Sequence, residues 1–363
     1  MSINQLYLTW HTRISQLRAG ERLTRTRNMA WLITGIFLSR AVHLSRVAGK
    51  IPSRADLLSA VRRLSRFLDN PSIRVREWYA PIARDWLDYI GRTTKEIRLI
   101  ADGTKIGFGH QLLMIAVCYH HRAIPICWTW INAPRGHSSA YKQCALLNYV
   151  RGLLPKGIPV VLVGDSEFGA IEVIRQVKTW RWHYVLRQKA NNQIRRPGRD
   201  WQNFGAVISK PGESLWLGQC LLTRQQAYAT NLLAHWAIGE DDPWLLATDL
   251  VDRTLTLQTY ARRMWIEEMF GDLKGNGFDL ESTHLQHIAR LSRLTLAVAL
   301  LYTWLVEVGA KIIKNGLRHC VDRADRRDLS IFQIGFRSID RRLTNALPFE
   351  FECSVGYSGQ TVR

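Results

Sequence analysis

A chain of 363 residues that is 47% hydrophobic is too apolar for an intrinsically disordered protein and long enough for more than one core. Its 50 Lys and Arg outweigh 30 Asp and Glu, for a formal net charge of +20, which points to a polyanionic partner and first of all to nucleic acid. Six cysteines without a Cys-x-x-Cys pair argue against a zinc-finger or disulfide scaffold and predict free, reduced, mostly buried thiols in a cytoplasmic protein.

Residues 1–92 read as a helical DNA-binding domain. The opening MSINQLYLTWHTR has no apolar signal core. Leu, Ile and Val recur at helical spacing in AWLITGIFLSRAVHLSRVA and RADLLSAVRRLSRFL, and the GKIPSR break between them offers Ser53 as an N-cap. This quarter of the chain holds 16 Lys and Arg against 6 Asp and Glu. Arg40, His43, Arg46, Arg62, Arg63 and Arg66 are its candidate DNA contacts, with a solvated basic face as the alternative.

From Lys95 the periodicity changes. EIRLIADGT, HQLLMIAVCYHH and AIPICWTWIN read as an antiparallel meander. SAYKQCALLNYVRGLL predicts a helix, PVVLVGDSEFG a buried strand and turn, Ala170–Trp180 a helix and HYVLRQK a strand. Three strands, helix, strand, helix, strand is the order of a ribonuclease H-like core, an α/β fold whose first part spans 93–188. In 189–258, a basic turn-rich stretch (NNQIRRPGRD) precedes three further strands, SLWLGQCLLT, NLLAHWAIG and PWLLATDL. We read this as a β-rich insertion carried on the core, with a continuation of the main sheet as the alternative.

Residues 259–310 supply a catalytic helix and complete the core. HLQHIARLSRLTLAVALLYTWLVEVGAKIIK predicts a long helix packed on that core. Its apolar run, Leu294–Val306, is too short and polar-interrupted for a bilayer, so no membrane partner is expected. The helical C-terminal region, 311–363, is basic and ends in an aromatic tail that offers either DNA contacts or a dimer surface.

Tyr260–Lys274, YARRMWIEEMFGDLK, reads as one amphipathic helix. Tyr260, Arg263, Glu267 and Lys274 fall inside an arc of roughly 60°, opposite Trp265, Met269 and Leu273, with Ile266 and Phe270 extending the apolar side toward Arg263. Asp102 closes the apolar strand of LIADGT, and Asp165 closes that of VLVGDSEF. Carboxylates at the ends of neighbouring strands can meet at one edge of a sheet. With Glu267 they make a set of hard oxygen ligands suited to Mg²⁺, with Mn²⁺ as a substitute. Two such ions about 4 Å apart can activate the attacking oxygen and stabilise the leaving oxygen of a phosphodiester. Taken singly, Asp102 and Asp165 also fit turn caps, and Glu267 fits a surface ion pair with Arg263. Glu268, the competitor, lies about 100° further round, away from Arg263 and Lys274.

The constellation resembles the DDE transposases of bacterial insertion sequences, and more narrowly insertion-sequence family four. That family's Tyr-x2-Arg-x3-Glu-x6-Lys signature is met by Tyr260, Arg263, Glu267 and Lys274. Its first aspartate commonly stands in an Asp-Gly-Thr context, like Asp102, and its second precedes an aromatic by three, as Asp165 precedes Phe168. The resemblance implies a metal-dependent enzyme that binds the terminal inverted repeats of its own element. It would cut at each end through a DNA hairpin and join the ends to target DNA, as a homodimer in the synaptic complex. Tyr260, Arg263 and Lys274 would hold phosphates, Arg187 would touch DNA, and Trp244 or Trp265 would stack on a flipped base, each tryptophan having core packing as its alternative. Met264 departs from the family, which can carry an aromatic there. The competing readings are a catalytically inactive, transposase-derived DNA-binding protein and another ribonuclease H-like nuclease.

Overall fold

The computed structural model describes residues 2–107, 109–132, 138–323 and 325–347. Most of the aromatic tail, with Cys353, lies outside the described residues. Five helices come first: α1 (Ser2–Leu17), α2 (Leu23–Ser39), α3 (Leu44–Ala48), α4 (Leu57–Asp69) and α5 (Val75–Thr94). The predicted meander is β1 (Ile97–Ile106), β2 (His110–Tyr119) and β3 (Arg122–Asn132), followed by α6 (Ala140–Arg151), β4 (Val160–Gly164), α7 (Ile171–Thr179) and β5 (His183–Arg187). Then come β6 (Gln193–Arg195), β7 (Gln202–Asn203), β8 (Ser214–Leu222), β9 (Tyr228–His235) and β10 (Trp244–Thr248). Helices α8 (Arg253–Ala261), α9 (Met264–Leu273), α10 (Ile288–Lys314) and α11 (Ile331–Thr344) complete the chain.

The chain forms two compact units, one of them Leu87–Thr104 with Gln111–Glu267. The other is helical. Its axis is α10, whose residues from Leu294 to Ala310 are all buried. By length and composition α10 could cross a membrane, yet 89% of its apolar window is buried inside the protein. The sequence predicts that it packs on the catalytic core; its main contacts are instead α11, α2 and α4. Helices α10 and α11 touch backbone to backbone at two glycines. A Cβ at Gly309 would overlap the Ile331 carbonyl oxygen, and one at Gly335 would overlap that of Leu305. Helix α4 is capped by Asp56, which accepts from Ser59 N–H at 2.8 Å, rather than by Ser53, whose hydroxyl serves the Ala55 N–H in the turn before it.

The second unit is built on a ten-stranded sheet in the order β3-β2-β1-β4-β5-β10-β9-β8-β6-β7. His120 and His121, both at positive φ (41° and 59°), make the two-residue turn of the β2–β3 hairpin. β1, β4 and β5 are parallel neighbours, and β10 joins β5 antiparallel, with Leu246 opposite Arg187. The strands of 189–258 are therefore a continuation of the main sheet. The alternation of β8 and β9 satisfies either arrangement; the open edge of β5 decides between them by taking β10 as its partner. Val161, Val163, Val185, Leu233, Leu246 and Tyr260 form a core on one face, where α8 packs on β4 and β5.

Candidate active site

Strand parity builds the site. Ala101 pairs with Gly164, and Gly164 with Leu186, so the next residues on the three parallel strands are Asp102, Asp165 and Arg187. Side chains alternate faces along a strand. These three therefore share the face of Val163 and Val185, the face that α8 covers through Tyr260. Asp102 does not end its strand, since β1 runs on to Ile106; it stands where β4 stops.

The expected single helix over Tyr260–Lys274 is two helices. Trp265 N–H bonds to the Arg262 carbonyl at 3.1 Å and Ile266 N–H to that of Arg263 at 3.1 Å, so i→i−3 bonds tighten the chain between α8 and α9. Tyr260 thereby turns inward and is 1% exposed. Its ring meets Trp244 edge-on at 4.9 Å, and its hydroxyl has no hydrogen-bond partner among the described residues. The Arg263 guanidinium lies over the same ring at 5.9 Å. Its Nη1 donates to Asp102 Oδ2 at 3.1 Å, and its Nη2 pairs with Glu267 Oε1 at 2.6 Å.

Burial, and then the charge of Asp165, push the Asp102 carboxyl up to about 7. Burial also raises Asp165, against the stabilising Glu167 N–H that its Oδ1 accepts at 2.9 Å. The tight turn after β4 is thus an Asp-capped turn as well as a carboxylate site. Burial opposes the charge of Arg263, but Tyr260, Asp102 and Glu267 more than offset it and hold the guanidinium protonated.

Lys274 belongs to the helical unit, where its ammonium pairs with Glu281 at 2.8 Å. Arg187 donates to the Pro243 carbonyl at 3.0 Å. Trp244 packs between Tyr260 and His235, while Trp265 is half-buried beside His121. Of the N-terminal candidates, Arg40 pairs with Asp340 at 2.8 Å, whereas Arg62, Arg63 and Arg66 line a groove with Arg22 and Arg25.

Glu167 escapes sequence reading. It accepts from Gln111 Nε2 at 2.9 Å and from the Ser138 N–H, while Gln143 donates to its carbonyl at 2.9 Å, so it ties the Asp165 turn to β2 and to the start of α6. The Gly of the Asp-Gly-Thr context belongs to the same arrangement, because a Cβ at Gly103 would overlap the Gln111 amide. The Asp-x-Glu spacing was the available signal, masked by the more conspicuous Asp165.

The family model described as the transposase DDE domain matches residues 91–304, more than half of the chain. The chain belongs to the DDE transposase family. A comparison with curated proteins returns no match. Among solved structures it is similar to the piggyBac transposase in its cryo-EM synaptic complex with hairpin DNA. That likeness has 13% identity and a TM-score of 0.43, over 96% of this chain and 83% of that one, and is too loose to carry structural detail.

DDE transposases use divalent metal ions. The donor set fits such an ion in part: the buried Asp102 and the half-buried Asp165 are hard-oxygen donors close enough to repel each other. Glu267 is not gathered with them. Among the described residues no three Asp, Glu, His or Cys side chains are grouped to hold a metal, and the exposed Glu267 carboxylate is held by Arg263.

Proposed function

We propose that the protein is the transposase of a bacterial insertion sequence of family four, built on a ribonuclease H-like core. It binds the terminal inverted repeats of its element, cleaves DNA there and transfers the strands to a target. The observation that carries this reading is the register aligning Asp102, Asp165 and Arg187 on the face that also bears Tyr260 and Arg263. The order β3-β2-β1-β4-β5, with β1, β4 and β5 parallel, supports the ribonuclease H-like core.

In this reading Asp102, Asp165 and Glu267 are the catalytic carboxylates and hold Mg²⁺, with Mn²⁺ as a substitute. The bound ions would supply an activated oxygen nucleophile and stabilise the leaving oxygen. The chain's own residues orient the strand. Arg263 and Arg187 present planar donors to phosphate oxygens. The unpartnered Tyr260 hydroxyl donates to a phosphate. Both tryptophans are half-buried, but Trp244 is packed on the core cluster that holds Tyr260, so Trp265 is better suited to stack on an extruded base. The groove of Arg22, Arg25, Arg62, Arg63 and Arg66 supports DNA-end binding by the N-terminal helices. Two ends held together call for a homodimer on DNA.

The test is cleavage of a supercoiled plasmid carrying the element's ends, with Mg²⁺. Excision by the wild type and none by Glu267→Gln is the expected result, and a hairpin on the released fragment would add the mechanism. Bound ends left uncut by both proteins, with Mn²⁺ also tried, would identify an inactive DNA-binding derivative.

A further inference from the structure

We propose that Arg263 is a resident counter-ion of the carboxylate site, competing with the divalent ion for Asp102 and Glu267 until a DNA phosphate draws it away. The inference rests on the transposase reading above and adds an order to it: DNA first, full metal occupancy second.

One guanidinium spans two carboxylates, with Nη1 on Asp102 Oδ2 at 3.1 Å and Nη2 on Glu267 Oε1 at 2.6 Å. The other Asp102 oxygen already accepts the Gly103 N–H at 2.7 Å. A cation taking the Asp102 carboxylate therefore meets a fixed positive charge on it. A guanidinium does not lose its proton at any working pH, so it can yield only by moving. Its Nε is buried and has no partner among the described residues, which leaves donor capacity unused in the present pose. The two non-bridging oxygens of a DNA phosphate accept the same paired donors that a carboxylate does, so a phosphate is the natural replacement. Arg187, on the next strand beside Asp165, remains to neutralise that carboxylate when Arg263 leaves. Removing Arg263 frees Asp102 and Glu267 together, which distinguishes a competing counter-ion from a merely structural ion pair.

The experiment is Mn²⁺ binding to the full-length, DNA-free protein, read from the paramagnetic resonance signal of free Mn²⁺. Arg263→Met keeps the side-chain length and drops the charge; it should bind Mn²⁺ at least about tenfold more tightly than the wild type. Adding Asp102→Asn should abolish that gain. Equal or weaker binding by a folded Arg263→Met protein would overturn the proposal, and Arg263→Gln serves in the same comparison if the Met variant does not fold. The wild type gives a second arm: Fe²⁺-driven hydroxyl-radical cleavage of the polypeptide beside Asp102 and Asp165. It should strengthen when a short duplex carrying the element's end is added; cleavage of equal strength without the duplex would also overturn the proposal. A duplex that fails to bind at all sinks the transposase reading instead, and the Mn²⁺ titration still decides the counter-ion.

Discussion

The surroundings of Asp102 disfavour its charged form, and that has a measurable sign. Its carboxyl is raised from the ordinary 3.8 to about 7, first by burial and then by Asp165. Between those values the native state binds a proton that the unfolded chain has released. The stabilisation is complete at the acid end and is lost as pH rises through the native value. Urea unfolding in a chelator should therefore show stability falling from pH 4 to pH 7 by a few kcal/mol, and Asp102→Asn should flatten the slope. A wild-type profile that rises over this range would contradict the burial described here. Tyr260 makes the complementary case. Its hydroxyl is buried without a partner, so Tyr260→Phe should leave the melting temperature unchanged or higher while strand cleavage falls. A large loss of stability would mean that the hydroxyl has a structural role after all.

At the scale of elements, α10 and α11 approach backbone to backbone at two residues without side chains. A Cβ at Gly335 would meet backbone, the Leu305 carbonyl, which cannot swing aside like a side chain. Gly335→Ala should destabilise the helical unit by about 2 kcal/mol or more, read by thermal unfolding, whereas Ala at Gly275, where a Cβ meets nothing, should show no such packing clash. The order of strands and helices through Arg187 was legible in the sequence, because continuous Val and Leu runs and helical apolar spacing differ in period. Asp165 was legible as a strand-end carboxylate for the same reason, whereas Asp102, read as a strand end too, lies inside β1 where β4 stops. Three features were not. The break between α8 and α9 comes from i→i−3 bonds at Arg262–Ile266, and a helical wheel assumes there are none. The place of β10 beside β5 is a pairing choice, and both arrangements satisfy the same alternation. The Glu167 network depends on Gln111 and Ser138, which the chain brings to it from far away in sequence.

For the whole molecule, the excess of Lys and Arg predicts how end binding responds to salt. Each phosphate neutralised releases counterions, so affinity for the element's ends should fall steeply on a log–log plot of salt, by roughly 0.9 decades per decade for each phosphate contact. A flat response in a gel-retardation series would contradict the nucleic-acid reading of the +20 charge. The helical unit carries one more consequence, in the order of synthesis. Helix α4 ends at Asp69 and α10 begins at Ile288, yet α2 and α4 pack against α10. At roughly 5–20 residues per second, about 10–45 s of translation separate the two. Throughout that interval Met29, Leu32, Ile33 and Phe67, buried in the finished protein, lack α10 to help cover them. The ribosome therefore delivers the sheet and its carboxylates first, and the arginine-lined bundle matures only after α10 has followed them.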